Sequence, residues 1–214
     1  MASKLPPPLK RQHKSAQRIG IRTILPGFVA LALLAGCATT KVETTGTPPQ
    51  QPLCQVGEPA VSILVYWGPQ WRTDQKEPQL REAAALRGIE DFFNRAGCIA
   101  IAGIHRLPEE KPLPTNEALL RLASSSTPLP DRVVLIVVRE LGPRISIGIP
   151  EIVEGGTEVL IDVRVLNPTT KESLTNTQTL WRNGGTFVIK GVKTLDQDMS
   201  AALKAALMPE QATR

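Results

Sequence analysis

Two kinds of apolar pattern run along the chain after residue 59. "AVSILVYW" (60–67) is a nearly continuous apolar run, the pattern of a strand buried on both faces. Pro78 then opens a helix that ends near Gly97, with Leu86, Ile89, Phe93 and Ala96 on one stripe at helical spacing and Gly97 as a left-handed stop. "CIAIAGI" (98–104) predicts a second strand, so strand, helix and strand make a parallel unit with a right-handed crossover. A short helix over Thr115–Ser124 and a third strand over "RVVLIVVREL" (132–141) continue it. The pattern then turns to period two. "RISIGI" (144–149) puts Ile145, Ile147 and Ile149 on one face, and "EVLIDVRVL" (158–166) faces Val159, Ile161, Val163 and Val165 inward. "SLTNTQTLW" (173–181) follows a turn at Asn167-Pro168. These three read as an antiparallel meander with one wet face. A last helix starts at Thr194, where Thr194 and Gln197 have capping-box spacing, Asp196 and Asp198 suit the helix dipole, and Leu195, Met199, Ala202 and Ala206 form its core stripe. The expected fold is one mixed α/β domain, three-layer-like: a β-α-β-α-β unit, an antiparallel meander and a C-terminal helix.

The first 36 residues are different in kind. Lys4, Lys10, Arg11, Lys14, Arg18 and Arg22 are charged, and no Asp or Glu occurs there. The apolar run "FVALALLAG" (28–36) is far short of the ~20 residues a membrane span needs, and it fits the apolar core of a secretory signal without a twin arginine. It stops at Cys37, and "ATTKVETTGTPPQQP" follows with little to pack. Leu34-Ala35-Gly36-Cys37 resembles a bacterial lipobox. The resemblance implies that the chain is cut before Cys37 and that the Cys37 thiol carries a diacylglycerol. Since Ala38 and not Asp follows, it also implies sorting to the outer membrane, facing the periplasm. The blander alternative is a plain secretory signal with an incidental cysteine.

Cleavage there changes the charge. The full 214 residues carry 25 Lys+Arg and 20 Asp+Glu, a net +5. Residues 37–214 keep 19 cations against 20 acids, a net of about −1, so nucleic-acid binding is dropped. The expected organisation is a signal peptide over 1–36, a lipidated flexible tether over 37–58, one periplasmic domain over 59–210 and a disordered tail over 211–214. Fully extended, such a tether reaches roughly 65 Å. Cys54 and Cys98 remain, and an even pair in an oxidising compartment suggests a disulfide, with two buried thiols as the alternative. Closing that loop adds about 4 kcal/mol in the chain-entropy model.

Catalytic chemistry has few residues to recruit. The processed chain holds one histidine, His105, which reads as an ordinary, partly exposed residue. A zinc site needs several His or Cys ligands, and no G-x-S-x-G elbow occurs. Gly155-Gly156 and Gly184-Gly185 read as turns, and Glu109-Glu110 as solvated loop. The chain reads as non-enzymatic, without metal or cofactor. Two places invite a partner. "YWGPQW" (66–71) lies at the carboxyl end of a parallel strand, and its Tyr66, Trp67 and Trp71 are three of seven aromatics after Cys37. "TLWRNGGTFVIKG" (179–191), with Trp181, follows a Thr-rich strand of edge character. The simpler reading of each is a core-capping indole and an ordinary hairpin.

With the lipobox, this element order over roughly residues 58–208 resembles small envelope lipoproteins built on an anticodon-binding-like or TolB-amino-terminal-like module, including curli-secretion lipoproteins and lipoprotein activators of cell-wall synthases. It implies a membrane anchor at Cys37 and an adaptor or assembly role toward another envelope or secretion protein. The alternative is a transport accessory that carries a lipid or glycan fragment.

Overall fold

A computed structural model describes residues 38–108, 112–147 and 153–209. They form one six-stranded sheet with three α-helices. In chain order the elements are β1 (Thr39–Thr47), β2 (Val61–Pro69), α1 (Pro78–Arg95), β3 (Ile99–Arg106), α2 (Asn116–Ala123), β4 (Arg132–Ile147), β5 (Val153–Leu166), β6 (Ser173–Thr186) and α3 (Leu195–Leu207). Across the sheet the order is β1-β6-β5-β4-β2-β3. β2 pairs parallel with both β3 and β4, and the remaining pairs are antiparallel. The mixed α/β class is therefore as the periodicity predicts.

Burial follows from strand alternation. In β2, Ile63, Val65 and Trp67 face α1 and α3, while Leu64 and Tyr66 face α2. In β4, Val134, Ile136 and Val138 take the first side and Val133, Leu135 and Val137 the second. Fully burying each such side chain contributes about 1.5–3 kcal/mol relative to exposure. α1 and α3 meet at Gly88, where an added Cβ would stand 2.6 Å from Met199 Cβ. α2 covers only part of the opposite side, through Leu119 and Ala123. The Cys54–Cys98 disulfide ties the segment after β1 to the start of β3 with Cα atoms 5.8 Å apart.

Four local expectations change. The run 132–141 and the described part of 144–149 are a single strand, Arg132–Ile147, through Gly142-Pro143, and Ile149 lies outside the described residues. β2 lies beside β4 only as far as Val138, so Pro143 has β5 on one side and its missing N–H interrupts no ladder on the other. Gly155-Gly156 and Gly184-Gly185 are not turns; they face each other across β5 and β6. A Cβ on Gly184 would come within 2.7 Å of Gly156 Cα, so this close backbone approach requires glycine. At α3, a short 3-10 turn over Val192–Thr194 leads in, and the Thr194 hydroxyl donates to Asp198 Oδ2 at 3.1 Å instead of capping the backbone. Most consequential, the segment expected as a tether carries β1, which pairs with β6 from Thr39↔Gly184 to Thr47↔Asn176. Its Thr-rich sequence has no apolar face to announce a strand; the free edge of β6 supplies the order.

Candidate interaction surface

The exposed side of β4, β5 and β6 beyond α2 is where chemistry-bearing side chains gather. A β-bulge between Val138 and Glu140 builds its centre. Val138 and Leu141 both enter the helix-side core, so the two residues between them, Arg139 and Glu140, emerge together on the open side. Arg139 donates to Asp162 Oδ2 at 2.8 Å and also to Gln70 Oε1. Gln178 Nε2 donates to the other Asp162 oxygen at 2.8 Å. Four residues along each strand, Arg182 Nε donates to Glu158 Oε2 at 2.7 Å, and Arg144 Nε stands 3.9 Å from the same oxygen. Arg182 Nη1 lies 3.9 Å from Glu43 of β1. Leu160 and Leu180 face each other in the midst of these charges, and both are half-buried.

Glu140 anchors the corner where this face meets α1. Arg72 Nη2 approaches it at 3.2 Å and Arg81 Nη1 at 3.4 Å. Arg81 is buried, donates from Nε to the Lys76 carbonyl at 2.7 Å, and donates to the Leu141 carbonyl. Gly142 makes room for it, since a Cβ there would stand 2.7 Å from the guanidinium carbon. At the other border, Arg164 donates to Asn116 Oδ1 at 2.9 Å and to the Pro114 carbonyl at 3.1 Å. Its burial holds the guanidinium below its ordinary pKa, partly offset by nearby Asp162. A groove of about 480 Å³ runs here between Asn116, Asp162, Arg164, Asn176 and Gln178.

The aromatic residues singled out in the sequence are not brought together. Trp67 (1 % exposed) and Trp181 (4 %) are in the core on the helix side, and Tyr66 (8 %) packs on the α2 side. Neither indole is thus the exposed anchor the strand-end position suggests, because alternation in β2 and β6 turns both under α1 and α3. Trp71 is half-buried beside Arg72, Arg139 and Glu140, with its indole N–H buried and unpartnered. Tyr66 stands 5.6 Å, ring to ring, from His105. Among the described residues, no cluster of three His, Cys, Asp or Glu side chains could hold a metal, and no helix is long and apolar enough to cross a membrane. Cys37 lies outside the described residues.

No protein-family model and no curated protein matches the chain. Among solved structures, the PelC dodecamer from Paraburkholderia phytofirmans is 11% identical, covering 79% of this chain and 98% of its own, with a TM-score of 0.41. Lipoprotein GNA1162 from Neisseria meningitidis is 18% identical over 68% of this chain and 96% of its own, with a TM-score of 0.36. TolB from Acinetobacter baumannii is 12% identical over 79% of this chain and 31% of its own, with a TM-score of 0.25. Similar structures thus include a lipoprotein, but likenesses this distant assign no function.

The face itself escapes a sequence reading built on aromatics. Its one signal is the break in parity at "VVREL" (137–141), where apolar positions Val138 and Leu141 fall three apart inside a period-two strand.

Proposed function

We propose that the chain is a non-enzymatic lipoprotein of the bacterial outer membrane, held on the periplasmic face by lipid on Cys37. It acts as an adaptor or assembly factor that docks another envelope or secretion protein on the open side of β4, β5 and β6. The observation that carries this reading is the bulge-built surface, where Leu160 and Leu180 sit inside fixed charges. Apolar contact surrounded by oriented charge suits a protein partner: the charges select the partner and set its register, while the leucines supply desolvation. The adjoining groove mixes Asn116, Asp162, Arg164, Asn176 and Gln178 with Leu113, Leu135 and Val137, unlike the enclosed apolar cavity that a lipid cargo requires.

Photo-crosslinking in living cells tests this. A photoreactive residue at Leu160 is expected to capture one dominant envelope protein, with capture lost on Arg139→Glu. The same group at Val56, exposed outside this face, is the control. Capture of nothing at Leu160, or recovery of a bound lipid or glycan, rejects the adaptor reading.

A further inference from the structure

Beyond the parallel part of the sheet, β4, β5 and β6 run on as an arm, and the described residues near its end expose apolar side chains. Ile145 is 68 % exposed, Ile147 74 %, Phe187 72 % and Ile189 86 %. Ile145 and Ile147 continue the face of buried Leu141 past the point where the helices cover it. Phe187 has φ 60°, a strained conformation for an aromatic residue, and is held there by its N–H donating to the Val153 carbonyl at 2.9 Å. Water alone gives no reason to hold an aromatic ring outward on a strained backbone.

What covers this end follows from the register. Thr39 pairs with Gly184, Gly184 with Gly156, and Gly156 with Arg144, so the start of β1 is level with Arg144. Ile147 lies three residues further out, about 10 Å at strand rise. Cys37 precedes Thr39 by two residues and reaches at most about 7 Å beyond it. An acyl chain on Cys37 therefore brings the bilayer to the level of the arm's end, with no slack for a stand-off. Lys41, Arg144 and Glu154 share the face of the arm opposite Ile145; Lys41 and Arg144 stand just behind that level, at the height of phosphate headgroups, and Glu154 is level with Ser146.

We infer that the end of the arm, through Ile145, Ile147, Phe187 and Ile189, inserts into the interfacial layer of the membrane that holds Cys37. The inference rests on the lipid-anchor reading. The arm is a second membrane contact that fixes the domain's orientation and presents the β4–β5–β6 face sideways, along the membrane surface.

The test uses the full-length protein, expressed with its signal, purified and reconstituted in phosphatidylethanolamine–phosphatidylglycerol vesicles with or without brominated acyl chains. Intact mass reports the acylation of Cys37. Ile147→Trp and, independently, Phe187→Trp place an indole at the arm; Leu129→Trp places one at the opposite end, before β4 begins. Brominated lipid is expected to remove roughly half of the added emission at the arm positions and none at Leu129, for side chains seated at the headgroup–acyl boundary. An acylated protein with unquenched indoles at both arm positions overturns the insertion and leaves the anchor standing. Emission that shifts with protein concentration but ignores bromine assigns the arm to a second copy of the chain and also overturns it. A mature chain without acyl mass overturns both readings.

Discussion

Gly46→Ala decides whether residues 39–47 are part of the domain or a loose leash. Gly46 pairs with Thr177 and has φ +95°. An added Cβ would stand 3.3 Å from the Thr177 Cα and closer still to the Asn176 carbonyl. The left-handed backbone costs an L-residue about 1–2 kcal/mol, and crowding against backbone that cannot rotate away adds about 1 kcal/mol or more. A loss of about 2–3 kcal/mol raises local opening of β1 roughly 30- to 150-fold. The loss stays local, because β1 lies at the sheet edge beside β6 alone and can detach without disturbing the helix-side core. Hydrogen exchange read by mass spectrometry on peptides spanning 39–47 and 174–184 measures it. Both are expected to lose protection while peptides of α1 and α3 keep theirs. If residues 39–47 exchange at the unprotected rate in the parent protein, and Gly46→Ala changes nothing, β1 does not exist in solution and the inferred membrane contact of the arm falls with it.

Other consequences follow from the same geometry. Gly88→Leu drives a side chain into Met199 at the α1–α3 crossing and is expected to lower stability by about 2 kcal/mol or more, read as a lower urea midpoint. Removing the disulfide with Cys54→Ala and Cys98→Ala together is expected to cost up to about 4 kcal/mol, since 44 positions separate the two cysteines, and a melt compared with the parent checks it. Arg139→Ala should shift stability by under about 1 kcal/mol, as for other half-exposed ion pairs, yet abolish crosslinking from Leu160; a large fall in the melting midpoint would make it a fold residue instead. Tyr66 is the only tyrosine in the chain, and burial pushes its phenol above its ordinary value. The folded state therefore holds its proton where the unfolded state has lost it, so this contribution is intact below pH ~10 and is lost as pH rises through the folded value. Phenolate absorbance should appear at higher pH in the folded protein than in urea, and Tyr66→Phe should flatten the alkaline loss of stability.

The parallel half of the fold is readable from sequence because its strands are buried on both faces: "AVSILVYW" and "RVVLIVVREL" announce themselves by apolar run alone. The arm is hidden for the opposite reason. Gly142-Pro143, Gly155-Gly156 and Gly184-Gly185 are punctuation in a sequence, yet here the glycines allow close strand contact and the proline sits at a free edge. β1 is hidden because Thr39–Thr47 has one apolar residue, Val42, and is made a strand by its neighbour and not by its own pattern. Two of the aromatic candidates, Trp67 and Trp181, fail on parity. Residue type marks Trp67 and Trp181 as anchors, but position in the pleat decides which face a side chain reaches, and both reach the core. The open face is built from Arg, Glu, Asp and Gln whose pairing depends on a bulge, a feature that strict alternation conceals.

The proposed membrane-facing geometry depends on Cys37 above all. Metabolic labelling with radioactive palmitate, followed by separation of inner and outer membranes, tests it directly. The parent protein should carry label and sediment with the outer membrane, and Cys37→Ser should lose the label. An unlabelled parent protein recovered in the soluble periplasm would contradict the lipid anchor and, with it, the orientation of the arm and the open face.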